Sequence, residues 1–559
     1  MKEAAPRLRA LLRWMWQTSR THRRRILLNC LPGLLSVAFS LLFIWCTKRV
    51  IDCATGQLNT SLWVEGTYTA IVLAAQIITS SFSTWLTNRL QVDVANQMRQ
   101  DLFQRMLNSR WDALQALHTG DVINRIEQDT TQIVTLLTST LPSLITSSVQ
   151  ILAGFALFYY LDTTLACVIL AILPVCLLFS KLYVRRMRRF TREIRQSDSQ
   201  IQSIIQESMQ HRTVIKTLEE QPHQLEQLVN QQQTLRTQIN VRTRFSVFSR
   251  LILSIGFSGG YLIAFLWGSY ELNESLITFG TMTAFLQLVN QIQSPAYSLS
   301  QLLPGMIQTF TSAERLIELE TIPAEEQGQS VQLPGILGLS VHNLTFRYHD
   351  QRGEKAIFHG LTYNFAPGSR TAILGETGAG KTTLVRLLLA LVAPTEGEIT
   401  LYSEEKTLAN APVARNSEPV SPLTRINFVY VPQGNTLFSG TIRQNLLMGR
   451  PNANDEEMHL ALEIAEAHFV FELPEGIDTP LTETGGGLSE GQAQRISIAR
   501  SLLRPGGILL FDEATSALDP ETEQRLLQNL RTHSAEKTMI FITHHPALAA
   551  QCDQVLEVS

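Results

Sequence analysis

Residues 371–391 read TAILGETGAGKTTLVRLLLAL: an apolar run, a glycine-rich turn, and a second apolar run with helical spacing. This order of strand, loop and helix is the context in which a phosphate-binding loop works. Glycines let the backbone N–H groups curl around phosphate oxygens, and the helix N-terminus adds positive potential. Lys381 is then expected to reach the β and γ phosphates and Thr382 to ligate Mg²⁺. The segment predicts a nucleoside triphosphate site.

A second apolar strand, residues 508–511, ends in the adjacent carboxylates Asp512 and Glu513. One of the two can hold Mg²⁺ through its water shell while the other accepts a proton from the attacking water. An acidic pair at a strand end is by itself more often a solvated turn. In combination with the phosphate loop, the pair predicts nucleotide hydrolysis.

The composition indicates a membrane protein of more than one domain. The chain has 559 residues, of which 45% are hydrophobic and only 17% charged, against roughly a quarter charged in soluble chains. A net charge of −3 gives no basic excess for nucleic acid, and the apolar content excludes disorder. The six cysteines lack CxxC metal spacing and the density of a disulfide scaffold, so we interpret them as buried thiols.

Six charge-free stretches in the first 313 residues predict transmembrane helices, because a bilayer core needs about 20 consecutive residues without an ionised group. Buried helices of a soluble protein are the alternative. Amides on the second and sixth stretches are expected to face a protein interior or a water-filled cavity instead of lipid. The predicted spans cover residues 26–47, 64–88, 137–160, 163–184, 249–270 and 277–304, and the amides are Gln76, Gln287, Asn290, Gln291 and Gln293.

The basic residues set the expected orientation. They cluster in residues 7–25 and 181–195, and basic residues near span ends are retained on the cytoplasmic side. Both termini are therefore expected in the cytoplasm. The first span follows a charged segment that is too long for a signal peptide and lacks a small-residue cleavage site, so we expect a permanent helix. The long connections 89–129 and 181–250 have the composition of helices that extend the spans into the cytoplasm.

From about Leu337 the pattern changes to short apolar runs that alternate with helical segments, which is typical of an α/β domain with a largely parallel sheet. We therefore predict a multi-domain chain. An all-α transmembrane domain of six helices covers residues 1–321, a linker covers 322–336, and an α/β P-loop NTPase domain covers 337–559.

Further motifs point to a family. The run Leu488-Ser-Glu-Gly-Gln492 resembles the signature of ATP-binding cassette (ABC) ATPases, and other family positions occur in the family's order. They are Tyr348, Gln433, Ser516-Ala-Leu-Asp519 and His544. The first half is similar to the membrane domain of ABC exporters at residues 118–125 with Asp129, 207–216, 277–285 and 312–315. The resemblance covers almost the whole chain and is most specific from Tyr348 to His544.

The resemblance implies two nucleotide-binding domains that close head to tail over two ATP molecules. It implies that Tyr348 stacks on adenine, that Ser489 and Gly491 cap the γ-phosphate held by the opposite subunit, and that Asp519 carries signals between sites. The predicted catalytic residues are Glu513, His544 and Gln433. The predicted ATP-binding residues are Tyr348, Gly375, Glu376, Thr377, Gly378, Ala379, Gly380, Lys381, Thr382, Thr383 and Gln433. The other predicted site residues are the trans-acting signature Leu488, Ser489, Glu490, Gly491 and Gln492, the inter-site loop residues Ser516 and Asp519, and Thr382, Gln433 and Asp512 for Mg²⁺.

Two departures from the family pattern bear on activity. Glu490 stands where the signature usually has glycine, and a carboxylate that points toward the γ-phosphate would repel it. We therefore expect weakened activity. His211 stands where relatives often place glycine in a cytoplasmic coupling segment, which leaves the position of that helix open.

One membrane domain and one ATPase domain make half a transporter, so the resemblance implies a dimer. Both half-sites occur on one chain, which favours a homodimer, although a second gene product as partner stays open. The expected function is ATP-driven export or flipping of a hydrophobic or amphipathic substrate (lipid, drug or peptide) across the cytoplasmic (inner) membrane of a bacterium. ATP and Mg²⁺ are the expected cofactors, and membrane lipid but no nucleic acid is an expected partner. The alternative is an ATP-gated channel or a regulatory membrane protein.

Overall fold

The computed structural model describes residues 8–115, 117, 119–350, 353–376, 378–404, 415–482 and 486–558. The chain divides into two compact units. The first contains the residues up to 104 and residues 119–321, and the second contains residues 105–118 and the chain from 322 onward. The sequence predicted one continuous membrane domain over residues 1–321. The structure differs from this prediction at residues 105–118, whose contacts place them in the unit that carries the phosphate loop.

The first unit is built of helices in its described residues. Three of these helices have 48, 53 and 43 residues. At about 1.5 Å per residue each is much longer than a hydrocarbon core of about 30 Å, so each has more residues than a membrane span requires. The helices of the chain up to residue 321 are α1 (Leu8–Thr18), α2 (Arg23–Leu28), α3 (Cys30–Ala54), α4 (Leu62–Leu107), α5 (Trp111–Gln115), α6 (Thr119–Asn124), α7 (Thr130–Thr135), α8 (Leu141–Leu161), α9 (Thr163–Gln210), α10 (Arg212–Thr217), α11 (Gln221–Asn273) and α12 (Phe279–Thr321), with π-helical turns at Arg125–Asp129 and Leu136–Thr140.

Among the described residues, four helical segments are long and apolar enough to cross a membrane, and they contain the first, second, third and fifth predicted spans. They are Arg23–Ala54, Leu62–Leu107, Thr119–Leu161 and Gln221–Asn273. The fourth predicted span, 163–184, falls in α9, where the side chains of 169–185 lie outside the described residues. The sixth, 277–304, falls in α12. These two spans stay predictions.

The core of the first unit lies where α3, α8, α11 and α12 meet. Phe158 and Phe285 are fully buried there with ring centroids 5.4 Å apart, and Ala264 and Leu288 are fully buried beside them. A Cβ on Gly154 would lie 3.2 Å from a side-chain carbon of Ile292, so the glycine permits a close approach of α8 and α12. Small residues have this use in membranes, where van der Waals contact must hold helices together.

A charged cluster joins α6 and the π-helical turn that follows it to α12. Arg125 donates to Asp121 at 2.8 Å, and Arg315 donates to the other oxygen of Asp121 at 2.6 Å. One turn further on, the buried Asp129 accepts a hydrogen bond from Ser312 at 2.7 Å. Arg125 and Asp129 begin and end one π-helical turn. Two of the segments that resemble ABC exporters, 118–129 and 312–315, are therefore in direct contact.

The described cysteines are free thiols, but the interpretation that all are buried is wrong. Cys46 is buried and Cys167 is exposed, while three others are intermediate. A free thiol is a small, weakly polar group with only a weak S–H donor, so its partial exposure costs little free energy and burial is not required. The side chain of Cys176 lies outside the described residues.

The second unit alternates strands and helices. Its strands are β1 (Ile336–Asp350), β2 (Gly353–Phe365), β3 (Arg370–Gly375), β4 (Glu396–Glu404), β5 (Arg415–Pro419), β6 (Phe428–Val431), β7 (Gly440–Thr441), β8 (Pro480–Leu481), β9 (Ile508–Asp512), β10 (Thr538–Ile542) and β11 (Gln554–Val558). Its helices, besides α5, are α13 (Lys381–Leu388), α14 (Ile442–Leu447), α15 (Asp455–Ile464), α16 (Phe469–Glu472), α17 (Glu490–Leu502), α18 (Pro520–His533) and α19 (Pro546–Ala549), with 3₁₀ turns at Pro422–Asn427 and Gly476–Asp478.

Five strands form a parallel sheet in the order β11-β3-β10-β9-β6. Four more form an antiparallel sheet in the order β2-β1-β4-β5. The largely parallel sheet was predicted and the antiparallel sheet was not. All residues of β9 and β10 are buried, as expected for central parallel strands. The carboxyl ends of β3, β9 and β10 lie side by side, which is where ligands of open α/β sheets bind.

Each face of the parallel sheet packs on its own core. On β9, Leu509 and Phe511 belong to a cluster with the side chains of α14, α15, α17 and α18. Ile508 and Leu510 belong to a second cluster with α13 and the antiparallel sheet. Because successive strand residues point to opposite faces, a continuously apolar strand is needed to fill both clusters.

The predicted linker, residues 322–336, is bound to the second unit. Ala324 pairs with Ser109 in a β-bridge, and the Glu325 amide donates to the carbonyl of Asn108 at 2.8 Å. The guanidinium of Arg425 bonds both carboxylate oxygens of Glu325, at 2.7 and 2.9 Å, and also the carbonyl of Leu389 at 2.7 Å. The linker and the segment 105–118 thus contact each other, and both are part of the second unit.

Candidate nucleotide site

The backbone between β3 and α13 has the conformation that a phosphate loop requires. Gly378 and Gly380 have φ values of 93° and 99°, in the left-handed region where a side chain is strained. A Cβ on Gly375 would lie 2.3 Å from the carbonyl oxygen of Val558 on β11, so that position has no room for a side chain. Thr377 lies outside the described residues. The remaining predicted loop residues are all part of this turn.

The lysine of the loop is turned inward. Lys381 begins α13 with 7% of its surface exposed, and its Nζ donates to the carbonyls of Gly375 at 2.7 Å and Glu376 at 3.0 Å. Thr382 is exposed and Thr383 is buried. The ammonium group of Lys381 therefore lies within the loop. The exposed Thr382 lies at the start of α13, where it could contact a metal ion bound to phosphate.

The first carboxylate of the acidic pair is buried. Asp512 ends β9 with 6% exposure, and its Oδ2 accepts a hydrogen bond from the hydroxyl of Tyr430 at 3.2 Å. Burial raises the pKa of Asp512, and the Tyr430 bond acts in the opposite direction. Burial, followed by the charge of Asp512, raises the pKa of Tyr430. Tyr430 was not among the predicted site residues.

The second carboxylate lies between two of the predicted catalytic side chains. Glu513 Oε1 is 2.8 Å from Nε2 of His544, and Glu513 Oε2 accepts a hydrogen bond from Nε2 of Gln433 at 2.7 Å. The backbone of Glu513 has φ of 49°, which is uncommon for a residue with a side chain and typical of functional sites. Its amide donates to the carbonyl of Ile542 on β10 at 3.0 Å, which fixes this turn. The structure thus brings Glu513, His544 and Gln433 together.

The predicted adenine-stacking residue is held from several sides. Tyr348 on β1 packs edge-on against Phe346 with ring centroids 4.8 Å apart. Its hydroxyl is 3.4 Å from the hydroxyl of Thr383 and accepts a hydrogen bond from Arg386 at 3.1 Å. Tyr348 is therefore attached to α13, the helix that follows the phosphate loop. Arg386 was not predicted as a site residue.

The predicted signature forms the start of α17. Ser489 is its N-cap: the hydroxyl accepts from the Gln492 amide at 3.2 Å, and the Gln492 side chain accepts from the Ser489 amide at 2.9 Å. A Cβ on Gly491 would lie 2.7 Å from the carbonyl oxygen of Ala517, so glycine is required for the approach of the next loop. Glu490 is exposed in the first turn of the helix, and Leu488 packs partly buried on the core. The hydrogen bonds of Ser489 and Gln492 are local. They do not connect the signature to the phosphate loop of the same chain.

The loop after Glu513 is attached to the signature helix by a residue that sequence reasoning missed. Gln494 is 1% exposed; its side chain donates to the carbonyl of Glu513 at 3.5 Å and accepts from the Ala517 amide at 3.3 Å. Ser516 is exposed in this loop. Asp519 caps α18 by accepting from the Thr522 amide at 3.0 Å, a bond that lowers the pKa of Asp519. Its role between sites stays a prediction.

The three missed residues have one feature in common. Tyr430, Arg386 and Gln494 act through neighbours that are distant in sequence, 82 residues away in the case of Tyr430 and Asp512. The only local signal is a polar side chain inside an apolar run, as for Gln494 on α17 and Tyr430 on β6. A buried polar side chain in such a place requires a partner, and the site supplies it.

Comparisons with known proteins identify the family of the chain. A family model described as the ABC transporter transmembrane region matches residues 26–296, and a second one, described as ABC transporter, matches residues 358–516. The ABC transporter ATP-binding protein YfiB of Bacillus subtilis is 28% identical over 507 residues, which covers 89% of this chain and 84% of that protein. An export ATP-binding/permease protein of Rickettsia felis is 26% identical over 542 residues, which covers 96% of this chain and 92% of that protein.

A solved structure shares the fold. A bacterial Atm1-family ABC exporter with ATP bound matches with a TM-score of 0.79 at 24% identity, over 96% of this chain and 94% of that one. The predicted fold class, helical membrane domain first and ATPase domain second, is confirmed. The chain belongs to the ABC transporter family, as an exporter-type half-transporter whose second domain hydrolyses ATP.

Proposed function

We propose that this protein exports or flips a hydrophobic or amphipathic substrate across the cytoplasmic membrane, by alternating access coupled to ATP binding and hydrolysis in a dimer. One observation carries the proposal. Glu513 is fixed between His544 and Gln433 at the sheet edge that also holds the phosphate loop and Asp512. A complete set of hydrolytic groups is expected of a pump, which must turn over ATP in every cycle.

The geometry supports a defined role for each group in hydrolysis. Glu513 accepts a proton from the water whose oxygen attacks the γ-phosphorus as the bond to the ADP oxygen breaks. Gln433 and His544, already bonded to the carboxylate, orient it and contact the water and the γ-phosphate. Lys381 exchanges its two carbonyl partners for phosphate oxygens. The positioning of charges supplies most of the rate in such reactions.

The residues present suit Mg²⁺ bound together with ATP. Thr382, Gln433 and Asp512 would hold it, and it would supply charge neutralisation at the β and γ phosphates. The described residues contain no group of three or more His, Cys, Asp or Glu side chains that could bind a metal without help. Mg²⁺ keeps several waters and is commonly bound by one or two carboxylates together with substrate phosphates. Asp512 is the one carboxylate here, and Thr382 and Gln433 add only oxygen donors, so this donor set fits.

A dimer is supported by the half-transporter architecture, with one membrane domain and one ATPase domain on the chain. In α17 the amides of Glu490 and Gly491 occupy the first two helical positions, where no intrahelical partner exists, and such amides bind anions. We infer that they cap the γ-phosphate bound to the second subunit. Because one chain carries both the phosphate loop and the signature, a homodimer is favoured, with a different half-transporter as the alternative. The exposed Glu490 would weaken this cap by repulsion.

The amides of the sixth predicted span divide into two groups. Gln291 donates to Ser40 on α3 at 2.5 Å, and its carbonyl accepts from Gln150 on α8, so Gln291 joins helices. Asn290 is exposed and Gln287 is half-buried on the same helix. We infer that Gln287 and Asn290, as neutral hydrogen-bonding groups amid apolar surface, line the path of an uncharged or amphipathic substrate.

The test uses purified protein in proteoliposomes. Apolar amphiphiles should stimulate ATP hydrolysis, and Gln287→Leu with Asn290→Leu should change which of them do so. Thr283→Val on the same helix, whose hydroxyl bonds a backbone carbonyl of its own turn, is the matched control and should leave the preference unchanged. Stimulation by small hydrophilic ions alone would refute the substrate class. ATP-dependent accumulation against a gradient is expected, and mere dissipation of a gradient would show a channel.

The same proposal places both termini and the ATPase domain in the cytoplasm of a bacterium. Described arginines between residues 13 and 25 are largely exposed at the start of the first span, next to the exposed Leu27, Leu28 and Leu31. Such a change from cationic to apolar surface suits the cytoplasmic headgroup region. The relatives from Bacillus and Rickettsia are bacterial.

A further inference from the structure

Arg386, on the second turn of α13 after the phosphate-loop lysine, contacts two aromatic side chains that are far apart in the sequence. Its Nη1 donates to the hydroxyl of Tyr348 at 3.1 Å. Its guanidinium carbon lies 4.5 Å from the ring centroid of Trp111, within the range of a cation–π contact. Arg386 therefore lies between the predicted adenine platform and the segment 105–118.

Trp111 is itself held in place. It is the first residue of α5 and packs, partly buried, on the core formed by α13 and the antiparallel sheet. Two residues earlier, Ser109 pairs with Ala324 of the linker in a β-bridge, and the Arg110 amide donates to the carbonyl of Pro323 at 2.9 Å. The segment between α4 and α6 thus presents one large aromatic ring to α13 from a fixed backbone.

Arg386 is suited to report the state of the nucleotide site. Tyr348 also reaches Thr383, which follows the Mg²⁺-ligating Thr382. A planar guanidinium can donate in its plane to Tyr348 while its face stacks on Trp111, which lysine at this position could not do.

We propose that Arg386 is a positioning residue for ATP binding, held by Trp111, and that it sets Tyr348 in the place where adenine stacks. The inference rests on the proposed function of Tyr348. If contact between Trp111 and Arg386 strengthens ATP binding by some factor, thermodynamic linkage requires that bound ATP stabilises this contact by the same factor. The segment that joins two membrane helices would then affect the affinity for ATP without touching the nucleotide.

The experiment measures KM for ATP and kcat in the full-length protein in nanodiscs. Trp111→Leu and Arg386→Gln should each raise KM about 3- to 10-fold, as expected for loss of a partly desolvated cation–π contact, and leave kcat within about twofold. Trp111→Phe keeps an aromatic face and should restore most of the affinity. Tyr348→Ala gives the upper bound, a rise of about 5- to 150-fold from lost base stacking.

A double-mutant cycle separates positioning from general loss of packing. If Trp111 acts through Tyr348, Trp111→Leu should add nothing to the KM of Tyr348→Ala. Phe471→Leu, an aromatic-to-aliphatic change on α16 of the same unit, is the control and should leave KM unchanged.

An unchanged KM in both Trp111→Leu and Arg386→Gln, or a full additional rise in the Tyr348→Ala background, would overturn the inference while ATP hydrolysis continues. If Trp111→Leu does not fold, Arg386→Gln and Arg386→Lys decide by themselves, with the lysine variant expected between Gln and the parent. Loss of hydrolysis in the unmodified protein would instead count against the proposed function.

Discussion

Glu513→Gln isolates the proton-accepting role of one carboxylate. The substitution keeps the shape of the side chain and the backbone at φ of 49°, so the strained turn between β9 and the following loop should persist. The glutamine oxygen can still pair with His544, but its NH₂ group would face the NH₂ group of Gln433, which now donates at 2.7 Å. One amide must rotate, a small change compared with the loss of the base.

The expected loss of turnover follows from this geometry. A positioned general base contributes about 10² to 10⁴ in rate, which is roughly 2.7 to 5.5 kcal/mol of barrier. Lys381 and Tyr348, which are expected to bind phosphate and adenine, do not touch Glu513 through their described hydrogen bonds. We therefore expect kcat to fall by that factor while the affinity for ATP stays within about threefold.

The assay compares steady-state ATP hydrolysis with nucleotide binding in nanodiscs. Glu557→Gln is the matched control, because Glu557 on β11 lines the cleft at Gly375 and Glu376 and carries the same charge. This control should retain at least half of the parental rate. In Glu513→Gln, ATP should in addition trap a closed dimer that sedimentation detects. Hydrolysis at the parental rate by Glu513→Gln would refute its assignment as the base.

Three other predictions follow from the same site and its surroundings. In a mixed dimer of one Lys381→Ala chain and one Ser489→Ala chain, both lesions fall in one composite site, so hydrolysis at the other should persist; complete loss would contradict the head-to-tail arrangement. Tyr430→Phe removes a donor to the buried Asp512, so the pKa of Asp512 should rise and the acid limb of the pH–rate profile should move to higher pH, whereas an unmoved limb would exclude this carboxylate from it. Arg425→Ala removes a bidentate ion pair and carbonyl bonds from a mostly buried position, so the unfolding free energy should fall by about 2 to 4 kcal/mol and the apparent Tm by roughly 5 to 15 °C, with less loss for Arg425→Lys. A change below about 1 °C would contradict that account.

Local motifs were predictable because their chemistry and their sequence spacing coincide. The phosphate loop needs its glycines next to one another, and Asp512 and Glu513 must end an apolar strand. The convergence of Glu513 with Gln433 and His544 was expected only through the resemblance to ABC ATPases, since no spacing rule connects residues that are 80 positions apart. The structure supplies the contact distances.

The remainder depends on long-range contacts that leave no periodic trace. The antiparallel sheet was missed because β1 pairs not only with β2, the next strand of the chain, but also with β4, which comes after β3 and α13, and only the tertiary fold sets this second pairing. The segment 105–118 was assigned to the membrane domain because it lies between two spans, but the bridge of Ser109 to Ala324 and the packing of Trp111 place it elsewhere. Sequence order is a poor guide where a short loop folds against another domain.

The inward position of Lys381 makes nucleotide binding an exchange reaction. In the structure the ammonium group donates to the carbonyls of Gly375 and Glu376. The affinity gained from this lysine is therefore the difference between two sets of charged hydrogen bonds, and the two released carbonyls must find water or other donors. A loss of affinity in Lys381→Ala will accordingly understate how strongly the lysine holds phosphate. It will also include a destabilised empty loop, which thermal unfolding without nucleotide would reveal.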